Sequence, residues 1–197
     1  MSKIVFIMGK SSVGKDSIFS KLRKHFPKLH VITTCTTRPI REGEQEGREY
    51  HFASREEFET LKSSGRVIES RSYPTVHGDW IYFTAAEGID PGTQDYLVIG
   101  TLEAYESYAA YFGKDKLLPV MVELEDGERL SRAIRREKKQ KTPSFTEVCR
   151  RFLADQEDFS EEKIGQAGIP AEARFENREL RGCVKDIEDY IGKHLSK

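Results

Sequence analysis

Apolar runs and helix-like segments alternate along the chain, and this alternation predicts a parallel α/β sheet. Apolar runs of strand length lie at 3–8, 29–33, 95–101, 117–124 and 173–175. Segments with helical spacing lie at 16–25, 102–112, 127–141 and 179–195. In the last segment, Val184, Ile187 and Ile191 recur every three or four residues, which gives a helix one apolar face. Strands that alternate with helices in this way are typical of βαβ units around a parallel sheet.

Two segments interrupt this order. Residues 34–90 are rich in Thr, Tyr, Glu and Gly and predict a small β-rich insert with one helix at 55–63. Residues 129–163 predict a charged helical excursion. We therefore divide the chain into a core (1–33, 91–128 and 164–197), an insert (34–90) and a lid (129–163). Both excursions are of the kind that folds over a bound ligand.

Composition narrows the class of protein. The chain has 197 residues, of which 37% are hydrophobic and 33% charged, which suits one core with a charged surface. The formal net charge of −1 gives no global field for nucleic acid or membranes. No apolar run approaches the ~20 residues that span a bilayer, and the N-terminus lacks a signal-peptide pattern. We expect a cytoplasmic monomer or homodimer without nucleic-acid or membrane partners.

The cysteines Cys35, Cys149 and Cys183 lie far apart in the sequence and share no metal-ligand spacing. An odd number of cysteines in a chain with no export signal indicates reduced thiols. We expect Cys183 in the core. For Cys35, which lies beside the predicted ligand site, a reactive thiol is the less favoured alternative. For His77, a structural or surface role is favoured over catalysis.

Residues 9–17 read GKSSVGKDS, the pattern G-x-x-x-x-G-K followed by Asp16 where Ser or Thr is usual. Between a strand and a helix, such a loop surrounds the phosphates of a nucleoside triphosphate with backbone N–H groups, and its lysine reaches the outer phosphates. The alternative is a Gly/Ser-rich turn. We expect Mg²⁺ as cofactor, held by Asp16 with help from Ser17. The predicted ATP-binding residues of the loop are Gly9, Ser11, Ser12, Val13, Gly14, Lys15, Asp16 and Ser17.

A second anion site is indicated in the insert. Arg38 and Arg41 flank Pro39, which excludes an ordinary helix interior. Two guanidinium groups on one short loop suit a phosphate, to which Tyr50 could donate a further O–H. Two carboxylates could accept hydrogen bonds from the N–H edge of a purine: Glu44 and Glu69. The alternative is that all these charges lie on a solvated surface.

Residues 34–52 read TCTTRPIREGEQEGREYHF, which resembles the guanylate kinase motif S-x-T-T-R-x-x-R-x-G-E-x-x-G-x-x-Y-x-F. The resemblance implies a P-loop kinase fold with an NMP-binding insert and a helical lid, and the reaction ATP + GMP to ADP + GDP. It implies that Glu44 lies among the phosphate-site arginines and that Glu69 faces the guanine. In HGDWIYFT, Tyr82 and Thr84 are the counterparts of the family's Y-G-T. The implied contacts to the acceptor phosphate come from Thr34, Arg38, Arg41 and Tyr50.

The segment 129–151 carries nine basic and two acidic residues. Phosphoryl transfer needs neutralised oxygens and in-line positioning, and the segment resembles the guanylate kinase lid. Binding of nucleic acid is less favoured, because the segment lacks interleaved aromatic residues. In FENREL, Asn177 would contact adenine or cap the last helix. The implied catalytic residues are Lys15, Arg132, Arg135 or Arg136, and Arg150 or Arg151.

One departure from the family concerns base recognition. Guanylate kinases carry D-I-D after the insert, where this chain reads V-I-G, so that Val98 and Gly100 stand at the positions of the acids. Glu103 could substitute, but an ordinary glutamate at a helix start is favoured. Loss of an acceptor for the guanine edge would relax base choice. Two alternatives therefore stay open: a kinase for another phosphorylated acceptor, such as ribose 1,5-bisphosphate or a different nucleotide, and a non-catalytic guanylate-kinase-like binding module.

Overall fold

The computed structural model describes residues 3–41, 43–48, 50–73 and 78–195; His77 lies outside them. The strands in this part of the chain are β1 (Ile4–Met8), β2 (His30–Val31), β3 (Cys35–Thr36), β4 (His51–Phe52), β5 (Val67–Tyr73), β6 (Trp80–Ala85), β7 (Tyr96–Ile99), β8 (Leu117–Glu123) and β9 (Arg174–Glu176). The helices are α1 (Lys15–His25), α2 (Arg55–Ser63), α3 (Leu102–Phe112), α4 (Asp126–Glu137), α5 (Phe145–Asp158), α6 (Glu161–Ala167) and α7 (Leu180–Leu195).

The central sheet has five parallel strands in the order β2-β7-β1-β8-β9. Helices cover both of its faces. On one face, Ile18 of α1 and Ile187 of α7 are buried together with Val5 and Val120 of the sheet. On the other face, apolar side chains of α3 and α6 are buried together with Phe6. The predicted fold class, a P-loop kinase fold with a parallel core sheet, is confirmed.

The insert forms its own sheet in the order β4-β3-β6-β5. Its helix α2 spans the range predicted from the sequence, because Ser54 and Glu57 form a capping box at its start. Phe58 of α2 packs on Phe83 of β6, with ring centroids 4.9 Å apart. The helix and the sheet of the insert therefore share a small core of their own.

The charged excursion is helical, but the first helix is shorter than predicted. The sequence predicts a helix over 127–141, whereas α4 ends at Glu137. The N–H groups of Lys139 and Gln140 bond to carbonyls three residues back, and the Glu137 carboxylate accepts from the Ser144 N–H at 2.7 Å. Because Pro143 disfavours helical conformation at the residue before it, the chain turns here and restarts as α5.

The cysteines are free thiols. Cys183 is buried in the core, as predicted. Cys35 is also buried, and burial raises the pKa of its thiol, so the alternative of a reactive Cys35 is not supported. Within the described ranges, no helix is long and apolar enough to cross a membrane.

Candidate active site

The loop between β1 and α1 has the backbone geometry of an anion-binding nest. Ser12 and Gly14 have φ angles of 66° and 98°, the left-handed backbone conformation that occurs in anion-binding nests. Gly9 has a φ of 146°, and a Cβ built there would lie 2.2 Å from the Val122 carbonyl oxygen. The sequence pattern and the conformation of this loop thus agree.

Lys15 is turned onto its own loop. Its Nζ donates to the carbonyl oxygens of Gly9 at 2.6 Å and Lys10 at 2.9 Å. Burial lowers the pKa of Lys15 to about 8, against opposing attraction from Asp16 and Asp155. A phosphate at the loop would offer this ammonium group stronger acceptors than the two carbonyls.

A pocket of about 300 Å³ opens beside the loop. Two lid arginines of α4, Arg132 and Arg136, line it together with loop residues. Arg132 also donates to the Asn177 carbonyl oxygen at 3.2 Å, which ties α4 to the segment after β9. The loop residues that line this pocket are Ser12, Gly14, Lys15, Asp16 and Ser17.

The other lid arginines divide into two kinds. Arg135 and Arg150 are exposed and pair with carboxylates of their own helices, Glu128 and Glu147. Arg151 instead reaches the loop, where its Nη2 lies 3.4 Å from the Ser11 hydroxyl oxygen. The sequence leaves open the choice between Arg135 and Arg136 and the choice between Arg150 and Arg151. In the structure, Arg136 and Arg151 are the members of these pairs that lie at the loop.

A buried ion pair joins the lid to the loop, and sequence analysis missed it. Arg129 of α4 is 1% exposed and donates to Asp155 of α5 at 2.8 Å and to Asp126 at 3.0 Å. Asp155 also accepts from the Ser11 backbone N–H at 2.9 Å. The sequence does offer one indication of this ion pair. Asp155 lies three residues after Phe152 and so on the same face of α5, and a carboxylate buried on such a face needs a charged or hydrogen-bonding partner.

Asn177 lies beneath the loop. Its Nδ2 donates to the Val13 carbonyl oxygen at 2.7 Å, and the side chain is buried. The alternative in which Asn177 caps α7 is wrong, because α7 begins at Leu180 and the Glu179 carboxylate accepts from the N–H groups of Arg181 and Gly182. The contact with adenine stays a prediction.

A larger cavity of about 490 Å³ lies between the insert and the carboxyl end of β7. Five of the predicted acceptor-site residues line it: Thr34, Tyr50, Glu69, Tyr82 and Thr84. The Thr84 hydroxyl donates to Glu69 Oε1 at 2.9 Å. Burial raises the pKa of Glu69, although the Thr84 hydrogen bond opposes this shift. The structure therefore brings these five residues together at one cavity, and their binding of an acceptor stays a prediction.

The insert arginines have different surroundings. Arg38 is 3% exposed and holds Glu44 through two hydrogen bonds of 2.8 and 2.5 Å. These bonds hold the pKa of Glu44 well below its usual range. The Arg38 Nε also donates to the Tyr82 hydroxyl at 3.1 Å. Arg41 is exposed, and its guanidinium lies 5.8 Å from the Trp80 ring centroid.

No carboxylate stands at the positions of the two missing acids. Val98 and Gly100 line the larger cavity, and a Cβ at Gly100 would lie 2.6 Å from the Phe6 ring. Glu103 is in the first turn of α3 and exposed. Its charge contributes to the raised pKa of Glu69, but it does not line the cavity.

Metal ligation by protein side chains alone is not indicated. Within the described ranges, no group of three or more His, Cys, Asp or Glu side chains could hold an ion. Asp16 and Ser17 are exposed at the loop pocket. One carboxylate with a neighbouring hydroxyl suits Mg²⁺, which keeps several waters and binds through one or two carboxylates plus phosphate oxygens.

Known proteins resemble the N-terminal part of this chain. The family model described as Guanylate kinase matches residues 1–89. The guanylate kinase of Neisseria meningitidis serogroup A is 41% identical over 87 residues, which are 44% of this chain and 40% of that protein. The guanylate kinase of Synechococcus sp. (strain JA-3-3Ab) is 42% identical over 71 residues, 36% of this chain and 33% of that protein. The alignments thus span less than half of these relatives.

The fold resembles that of a solved structure over the whole chain. The crystal structure of guanylate kinase from Anaplasma phagocytophilum matches with a TM-score of 0.62 and 18% identity, covering 100% of this chain and 87% of that one. At this identity the likeness concerns the fold.

Proposed function

We propose that this chain, whose residues 1–89 match the guanylate kinase family model, is an ATP-dependent nucleoside monophosphate kinase that converts ATP and GMP to ADP and GDP. One observation carries the proposal. The phosphate loop and the larger cavity lie at the carboxyl ends of neighbouring strands, since Ile7 of β1 pairs with Ile99 of β7 and the Gly100 N–H donates to the Ile7 carbonyl at 2.9 Å. Ligands of open α/β sheets bind at this edge.

The loop side of the site would bind the donor. Its amides and Lys15 would hold the ATP phosphates, and Arg132, Arg136 and Arg151 would neutralise the charge on the transferring group. Asp16 and Ser17 would hold Mg²⁺, which neutralises charge on the phosphates when bound. Asn177 supports the loop from below through Val13.

The insert side of the site would bind the acceptor. Thr34 and Tyr50 lie at the cavity, and Arg41 is exposed beside it and able to meet the acceptor phosphate. Arg38 would orient Glu44 and Tyr82, and one of its five N–H groups is left for the phosphate. The acceptor phosphate needs no strong base, because its oxygens are already ionised near neutral pH.

The proposal is tested by a coupled ADP-release assay with Mg-ATP and GMP, dGMP, AMP, CMP, UMP, IMP and ribose 1,5-bisphosphate. Turnover of GMP is expected. The apolar side chains at the strand end favour a second candidate, a kinase for another phosphorylated acceptor, which turnover of a different compound would support. ATP binding without turnover of any acceptor would contradict both.

ATP affinity is expected to fall at alkaline pH because of Lys15. Its pKa is about 8 without nucleotide, and bound phosphates would raise it. The complex then holds more protons than the free protein above that pH, so affinity is constant at lower pH and falls by up to about tenfold per unit as pH rises through the free value. Calorimetric ATP titrations from about pH 6 to about pH 10, roughly two units on either side of that pKa, measure this change in affinity. Constant affinity throughout would contradict the prediction.

A further inference from the structure

The hairpin of β5 and β6 presents one polar face to the larger cavity. Side chains alternate along a strand, so Glu69 and Arg71 share a face of β5. The register sets Thr84 opposite Glu69 and Tyr82 opposite Arg71. All four line the cavity. Glu69, Tyr82 and Thr84 were anticipated as acceptor-site residues, whereas Arg71 was not.

The Arg71 guanidinium has hydrogen-bonding capacity to spare. Its Nη2 lies 3.8 Å from Glu69 Oε2, an ion pair longer than a hydrogen bond. Among the described residues, no acceptor takes a hydrogen bond from its side chain, which carries five N–H donors. Glu69, in turn, receives one hydrogen bond from Thr84. The cavity therefore presents a free acceptor and a free donor side by side.

The opposite wall of the cavity is mainly apolar, with the side chains of Thr101 and Tyr108 beside its apolar part. Phe6, Val98 and Ala104 line it, and the Phe6 ring occupies the space that a side chain at Gly100 would take. A ligand amino group that pointed at Val98 or Gly100 would lose its hydrogen bonds with water and gain none from these side chains. Among the described residues that line the cavity, the charged ones, Glu69 and Arg71, both lie on the hairpin.

We propose that Arg71 is a specificity-determining residue, and that Arg71 and Glu69 together read a ring C=O and the adjoining ring N–H of the acceptor base, with an amino group at any other position left unread. This rests on the proposed function. A phosphate is a poor ligand for this pair, because the Glu69 carboxylate would repel it at the same distance. A neutral edge that both donates and accepts matches both groups.

The nucleotides differ in the hydrogen-bonding groups that their bases would present to Arg71 and Glu69. GMP and IMP present N–H beside C=O at the same ring positions and differ in the 2-amino group. AMP, held in the same pose, turns its amino group toward the Arg71 donors and its bare ring nitrogen toward Glu69. The acceptor class is therefore a 6-oxopurine monophosphate, with or without the 2-amino group.

The test compares kcat/KM for GMP, IMP and AMP in the wild type and in Arg71→Ala. We expect the wild type to use IMP within about fivefold of GMP, because no hydrogen bond to the 2-amino group is made. Arg71→Ala should lower kcat/KM for both 6-oxopurines by roughly ten- to a hundredfold, with the KM for ATP unchanged. Arg66→Ala is the matched control, since Arg66 is exposed, pairs with Glu87 and lies outside the cavity lining.

Two results would overturn the inference: an equal loss for AMP and the 6-oxopurines in Arg71→Ala, or a wild-type preference for GMP over IMP above about a hundredfold. If the wild type turns over no acceptor, the proposed function fails. Calorimetric binding of IMP and AMP then still tests whether Arg71 and Glu69 recognise the base. Weaker IMP binding in Arg71→Ala than in Arg66→Ala then supports it, and equal binding contradicts it.

Discussion

Replacing Lys15 with alanine is expected to lower kcat by about 10²–10³-fold, the usual cost of removing one preorganised donor from a transition state. Lys15 is the first residue of α1, and its ammonium group lies within the loop that would hold the phosphates. Steady-state ADP release with saturating acceptor measures the loss. A second readout is thermal stabilisation by ATP, which Lys15→Ala should reduce.

Lys24→Ala is the matched control for this prediction. Lys24 lies in the last turn of the same helix and is exposed, so its removal should change neither turnover nor stabilisation by ATP. If Lys15→Ala kept turnover within about threefold of the wild type, the loop would not be the donor site, because a direct contact to the transferring group costs far more.

Two polar side chains of the loop, Lys15 and Ser11, are paired within the protein, whereas the buried Ser12 hydroxyl has no hydrogen-bond partner among the described residues. Lys15 bonds to carbonyls of the loop, and the Asp155 carboxylate accepts from the Ser11 N–H and lies 3.2 Å from the Ser11 hydroxyl. A carboxylate on a loop amide takes a position suited to a phosphate oxygen. Nucleotide binding would therefore exchange internal hydrogen bonds for bonds to phosphate.

Much of the fold could be predicted because its signals are local. The apolar run of β1 and the glycines of the following loop specify a strand, a nest and a helix within a few residues of each other. The helix α2 carries its own start signal in Ser54 and Glu57. The end of α4 at Glu137 depends on the turns that follow it and on a proline six residues further on, and each of these is a weak signal. The helical spacing therefore predicts an end at residue 141, four residues too late.

The site could be predicted only in part, because its remaining contacts join distant segments. Arg38 could be recognised as an anion ligand, but its burial against Tyr82 depends on a partner 44 residues away. Arg71 could have been predicted to line the cavity, because it lies two residues after Glu69 on the same strand and so on the same face. Choosing between Arg135 and Arg136 required the orientation of α4 over the loop, which helical spacing does not give.

Arg129→Ala is expected to lower the free energy of unfolding by about 3–5 kcal/mol, because it leaves Asp155 buried without its charged partner. The Arg129 side chain is 2% exposed and that of Asp155 12% exposed, and the guanidinium also lies 4.3 Å from the Phe152 ring centroid. Urea denaturation measures the change. Arg178→Ala is the control: its ion pair with Glu176 is on the surface, with an Arg178 side chain 80% exposed, and should cost less than about 1 kcal/mol.

The double variant Arg129→Met, Asp155→Leu separates the unpaired charge from lost packing. It removes both charges and keeps side chains of similar size, so it should recover most of the stability lost in Arg129→Ala. It should also weaken the attachment of α5 to the loop, since the leucine side chain cannot accept a hydrogen bond from the Ser11 N–H. A loss below about 1 kcal/mol in Arg129→Ala would mean that the pair is solvated in solution and that the lid helices are not anchored through it.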